Sequence, residues 1–196
     1  MDATILSMTG FAVAMYITPG PNNLMLAASA ASFGLRATVP HMLGVGVGFT
    51  LMLAIVCSGL ASVLLAWPLL LPLMRWGGAA WMLLLAWKIA TAGPPNENAG
   101  RVLGFAGAMA FQWVNPKGWL IALSAAGLFA RPDEALWMQG LRIGVVFFAV
   151  ALPCMAPWML LGAGARRLLR SPGSLRAFNI AMAVLLVVSV APVLLD

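Results

Sequence analysis

Ile17-Thr18-Pro19-Gly20-Pro21-Asn22-Asn23-Leu24 interrupts an apolar stretch long enough to cross a bilayer, and Val114-Asn115-Pro116-Lys117-Gly118-Trp119 interrupts another later in the chain. Proline has no N–H and clashes with the preceding turn, so neither stretch continues as one regular helix. The backbone groups freed there find no water in hydrocarbon. Such a break survives only where it is packed inside protein or lines a polar cavity. Interrupted helices in corresponding places of two chain halves point to the binding site of a transporter.

Composition agrees with a membrane setting. Of 196 residues, 63% are hydrophobic and 8% charged, with a mean hydropathy of +0.99. Soluble domains carry roughly 25% charged residues. With about 20 apolar residues per helical crossing, six segments qualify: Ile5–Phe33, Pro40–Ala66, Leu69–Ala92, Val102–Phe129, Leu136–Gly164 and Ser174–Leu195. The first and fourth are the broken ones. Loops between them are short, so residues 1–196 read as a single membrane domain. Met1-Asp2-Ala3-Thr4 lacks the basic start of a signal peptide.

The net charge of +6 is spread over span ends, which argues against a nucleic-acid partner. With the N-terminus outside, the inner loops hold Arg36, Lys88, Arg101, Arg166, Arg167, Arg170 and Arg176, and the outer regions Arg75, Arg131 and Arg142. This bias predicts both termini outside. A basic inner surface also suits anionic lipid head groups.

Residues 1–92 and 101–196 each hold three spans, joined by the linker 93–100 with its polar run Gly93-Pro94-Pro95-Asn96-Glu97-Asn98. Landmarks recur at similar offsets: Pro19 with Pro116, Arg36 with Arg131, Arg75 with Arg170, Cys57 with Cys154. Three spans per half force the second half to be inverted. The expected fold is therefore all-α, with six transmembrane helices as two inverted three-helix repeats. Gly44 and Gly48 form a small-xxx-small pair, expected to pack against the broken first span. Such small-residue faces also permit a homodimer. His41 falls near the start of the second span and reads as interfacial or structural. Trp67, Trp76, Trp87 and Trp137 suit interfacial anchors. Pro153 and Pro157 predict a kink in the fifth span, and Asn179 and Ser189 are expected to face neighbouring helices.

Lys117 is the outstanding polar residue. A cation at the bilayer centre costs at least ~2.5–3.5 kcal/mol on insertion scales and usually marks function, although a lysine at a re-entrant tip can snorkel to water. Its expected role is to meet a substrate carboxylate or to exchange a proton. Asn22 and Asn23 follow Thr18, Pro19, Gly20 and Pro21 at the start of a half-helix, whose free N–H groups and positive dipole end favour an anion. One asparagine can instead serve as a cap. Gln112 and Asn115, three residues apart and followed by Pro116, are candidates for further ligand hydrogen bonds or for an interhelical one. No Asp or Glu lies inside any span, which favours neutral amino acids over cationic ones. No nucleophile–base pair, metal-ligand spacing or phosphate loop appears, so neither an enzyme nor a cofactor is expected. A rival reading is a thiol electron shuttle using Cys57 and Cys154; another is a purely structural membrane subunit.

Thr18-Pro19-Gly20-Pro21-Asn22-Asn23, Gly34-Leu35-Arg36, Gly44-Val45-Gly46-Val47-Gly48 and Asn115-Pro116-Lys117 together resemble the LysE/RhtB family of amino-acid exporters over essentially the whole chain. The resemblance implies six spans, a bacterial inner-membrane location and efflux of amino acids or derivatives, driven by the proton gradient. Many members of that family place Asp directly after the second-span glycines, where this chain has Phe49. Phe49, the Asn22-Asn23 doublet and Ala28-Ser29-Ala30-Ala31-Ser32 look more like the branch that exports cysteine and O-acetylserine.

Overall fold

The computed structural model describes residues 3–60, 66–67, 69–91, 103–131, 133–169 and 171–195. The linker 93–100, Asp2, Arg101, Arg170, Asp196 and residues 61–65 of the expected second span lie outside the described residues. The named elements are all helical. They are α1 (Ala3–Ile17), α2 (Pro21–Phe33), α3 (Leu35–Ile55, running into a π-helical turn Val56–Leu60), α4 (Leu70–Ala90), α5 (Phe105–Phe111, followed by a 3-10 turn Gln112–Val114), α6 (Pro116–Phe129), α7 (Leu136–Leu168) and α8 (Pro172–Leu195). Leu35–Leu60 and Leu136–Leu168 are each long and apolar enough to cross a membrane, and α1 with α2 makes a third if that bent pair is one crossing.

Large apolar side chains cover the outside as well as the core. Leu73, Trp87, Leu128 and Leu160 are all at least 60% exposed. So many exposed large apolar side chains suit a surface that meets hydrocarbon. Inside, the 33-residue α7 packs against α1, α2 and α3, while α4 pairs with α8 and α3 with α5. The half-helix α2 lies in the middle. Leu26 and Ala30 join a cluster with Met8, Phe49 and Phe147, and Leu24, Met25, Ala27 and Ala28 join one with Met82, Phe111 and Leu186. The Ala and Ser side chains of α2 are small enough to let neighbouring helices approach closely.

Polar contacts gather at two ends. At one, an Arg131 guanidinium N–H donates to Thr4 Oγ1 at 3.1 Å, and Arg142 pairs with Glu134 at 2.8 Å while also donating to the Phe129 carbonyl. At the other, Gly34 makes the turn from α2 to α3 at φ +84°, a conformation open to glycine but strained for other residues, with Arg166 beside it. Asn179 of α8 donates to Ser32 Oγ of α2 at 3.2 Å near this end.

Several expectations need correction. The helix of the second span begins at Leu35, and Pro40 lies inside it, because the one-residue turn at Gly34 lets the chain restart a helix at once. His41 is consequently fully buried, not interfacial. Gly44 and Gly48 do pack closely, but against Phe105, Ala108 and Met109 of α5, not against the first span. The first span's second half instead meets α7, where the Ala27 carbonyl lies against Gly162. The helix of the fifth span, α7, runs on past Gly164 to Leu168.

Candidate functional site

Helices α1 and α2 are bent by 53° across Thr18-Pro19-Gly20. A helix end leaves its last carbonyls without intrahelical partners, yet five successive ones here are occupied. Thr18 Oγ1 donates to Met15 O at 3.0 Å, and Trp158 Nε1 of α7 to Ile17 O at 3.3 Å. Asn23 Nδ2 reaches back from α2 to Tyr16 O at 2.6 Å and Thr18 O at 2.9 Å. Lys117 Nζ donates to Thr18 Oγ1 at 2.8 Å and to Thr18 O and Pro19 O, both at 3.2 Å. The ammonium thus sits at the negative end of the α1 dipole, where a cation is favoured. Gly20 allows this approach, since a Cβ there would lie 2.9 Å from Lys117 Cδ and Nζ.

The second break joins the first through two amides. Asn22 Nδ2 donates to Gln112 Oε1 at 2.9 Å, and Gln112 Nε2 returns a bond to Asn22 Oδ1 at 3.1 Å while also donating to Ala108 O. The chain turns extended at Asn115 (φ −86°, ψ 107°) before Pro116 opens α6. Asn115 Oδ1 is buried without a partner. At the start of α2, Gly20 is extended and supplies no side-chain cap, and helix geometry leaves the Asn22 and Asn23 N–H groups without intrahelical acceptors.

Between the breaks lies a cavity of about 30 Å³, lined by Met15, Tyr16, Gly20, Pro21, Asn22, Asn23, Phe49, Asn115, Lys117, Gly118 and Ile121. A site of about 10–15 Å³ on this measure holds one water, so this one matches two or three waters. Six of the ten residues expected at the site line it. Thr18 and Pro19 hold its lysine, Gln112 braces Asn22, and Pro116 sets the second break.

Sequence reasoning missed Tyr16, the chain's single tyrosine. Its ring packs edge-on against Phe49 at 5.7 Å and its hydroxyl is buried without a partner. The available signal was a lone phenol in an apolar segment just before the break. Trp158 was missed too, because its contact with Ile17 depends on how α7 crosses α1.

The cysteines do not support the thiol-shuttle reading. Gly140 packs against Ala54 and Ser58, which flank Cys57. Cys154 lies fourteen residues farther along α7, about 21 Å at ~1.5 Å per residue. A disulfide requires Cα atoms within about 7 Å.

A model of the family described as LysE type translocator matches residues 13–195. The chain is 34% identical over 193 residues to the cysteine/O-acetylserine efflux protein of Escherichia coli strain K12, covering 95% of this chain and 96% of that one. It is 35% identical over 175 residues to the protein of the same description from Salmonella typhimurium strain LT2, covering 87% of each. No solved structure matches the chain.

Proposed function

The chain belongs to the LysE type translocator family, and on that premise we propose that it is a secondary exporter of neutral amino acids or derivatives such as cysteine and O-acetylserine. In this reading the protein spans the bacterial inner membrane six times in two inverted halves, with both termini outside, and works by alternating access with proton coupling. The observation that carries it is the meeting of the two breaks around one cavity, with Lys117, Asn115 and the start of α2 on its walls.

A zwitterion suits these groups. Its carboxylate would bond Lys117 and the free N–H groups of α2, which attract anions; its ammonium would donate to the unpartnered Asn115 Oδ1. No carboxylate lines the cavity, which disfavours a cationic side chain. A volume this small cannot admit an amino acid, so the walls must part. Lys117 would then exchange the Thr18 and Pro19 oxygens for the substrate carboxylate, a stronger charge-assisted acceptor. That exchange ties occupancy to the bend between α1 and α2.

The test is uptake of a panel of labelled amino acids into inverted vesicles, with and without an imposed pH gradient. Uptake of neutral amino acids above empty vesicles is expected, with Lys117→Met abolishing it while the variant remains in the membrane. No uptake across the panel, or full activity in the Lys117 variant, would overturn this function or this site respectively.

A further inference from the structure

His41 is the only histidine in the chain. It is fully buried, and neither ring nitrogen has a hydrogen-bond partner. Its neighbours on α3 define where it lies. Thr38, three residues earlier, shares a 3.1 Å hydrogen bond with Ser29 of α2, and Gly44, three residues later, lies against Phe105 and Ala108 of α5. The imidazole therefore falls between the two half-helices that run from the breaks toward the Gly34 end. Phe49, eight residues farther along α3, lines the Lys117 cavity, about 12 Å away along the helix axis. Beyond His41 toward the Gly34 end, buried Thr38, Ser29, Ser32 and Asn179 continue a polar line.

Buried polar atoms nearly always find partners, and an exception requires an explanation. The charged and titratable groups around α3 do not supply one. Helices α2 and α5 carry none. Helix α3 itself has Arg36, and Cys57 follows it; α7 brings Arg166 and Arg167 at the Gly34 end, Arg142 at the other and Cys154 between; α1 brings Tyr16 and α6 brings Lys117. No carboxylate on these elements faces the ring. Lys117 already has three oxygen acceptors. That leaves His41 a buried, unengaged base between the Lys117 cavity and the Gly34 end.

Resting on the transport reading above, we propose that His41 carries the coupling proton between the cavity and the inner side. A proton from outside water enters through the open cavity, and a ring-nitrogen lone pair forms the new N–H bond as a hydronium O–H bond breaks. After the walls close above it and part below, the imidazolium releases that proton to inner water and is neutral again. One proton moves inward for each such cycle, and no other bond changes.

Because there is one histidine, imidazole ¹⁵N labelling of the reconstituted wild-type chain gives one residue's signals, read against pH with and without L-cysteine. Coupled sites shift each other reciprocally, so saturating L-cysteine should move the His41 midpoint by at least ~0.5 pH unit, about a threefold change in affinity between protonation states. In proteoliposomes, His41→Gln should retain L-cysteine counterflow but lose at least tenfold of pH-gradient-driven accumulation. Unchanged driven accumulation in that variant overturns the proposal, as does a wild-type midpoint indifferent to L-cysteine. If the variant loses counterflow as well, the wild-type titration alone decides. Wild-type protein with no counterflow would remove the transport reading itself, and the proton role with it.

Discussion

Removing the amides that join the two breaks should expose their coupling as a measurable energy. Asn22 and Gln112 exchange two hydrogen bonds, at 2.9 and 3.1 Å, across 90 residues of sequence. Interhelical side-chain hydrogen bonds in membrane proteins average about 0.6 kcal/mol and reach about 1.7, so two together should contribute about 1–3 kcal/mol. Asn22→Ala strands the buried Gln112 Oε1, a loss of about 1–3 kcal/mol, although Gln112 keeps its bond to Ala108. Gln112→Ala should cost less, since Asn22 borders the cavity and can turn to water there. The double variant should be destabilised by less than the sum of the two, by that 1–3 kcal/mol. Unfolding in mixed micelles titrated with dodecyl sulfate, followed by tryptophan fluorescence, completes the cycle. Additivity within about 0.3 kcal/mol, the behaviour of distant sites, would refute contact between the breaks.

The glycines of α3 should divide by what lies opposite. A Cβ at Gly48 would sit 2.6 Å from Met109 Cα, so Gly48→Ala should destabilise by about 1–3 kcal/mol in the same titration, whereas Gly46→Ala, facing flexible Leu152 and Phe148 side chains at 3.4 Å, should change it little. At the Arg142–Glu134 pair, the hydrogen bond from Arg142, reinforced by its charge and that of Arg131, holds the Glu134 carboxyl below its ordinary range. A depressed folded-state value means the contribution is fully present above the unfolded value of about 4.3 and is lost as pH falls through the folded one. Thermal midpoints measured from pH 6 to pH 3 should therefore fall more steeply in wild type than in Glu134→Gln; parallel curves would show that the pair contributes nothing. Cys57→Ser combined with Cys154→Ser should keep full transport in the vesicle assay, and loss of transport would revive thiol chemistry.

Local chemistry was legible in the sequence, and relative placement was not. Pro19, Gly20, Pro21 and Pro116 announce the breaks because prolines without an N–H, clustered with glycine in the first case, favour a fresh helix start over continuation. Lys117 announces a polar site because a cation in an apolar span needs water or polar partners wherever it is placed. The partner of Gly44 and Gly48 was misread because a small-residue face allows close approach without naming the approaching helix; α5 takes that place. Pro40 misled in the opposite direction. Read as a helix start, it put His41 near a span end, as an interfacial or structural residue, whereas Gly34 had already made the turn and the helix had gained a full turn before the proline.

The two breaks are complementary, which accounts for their occurring together. The end of α1 leaves carbonyls that need donors, and the start of α6 brings an ammonium to Thr18 and Pro19. The 3-10 turn before Asn115 brings the Gln112 amide to Asn22 at the start of α2. Either break alone would strand backbone or amide groups in a low-dielectric interior at about 1–3 kcal/mol each. Together they leave few groups unmet, and two of those, Asn115 Oδ1 and the Tyr16 hydroxyl, belong to residues that line the cavity. Two unmet polar atoms facing one small volume are what a site needs if a ligand, and not the fold, is to complete its hydrogen bonding.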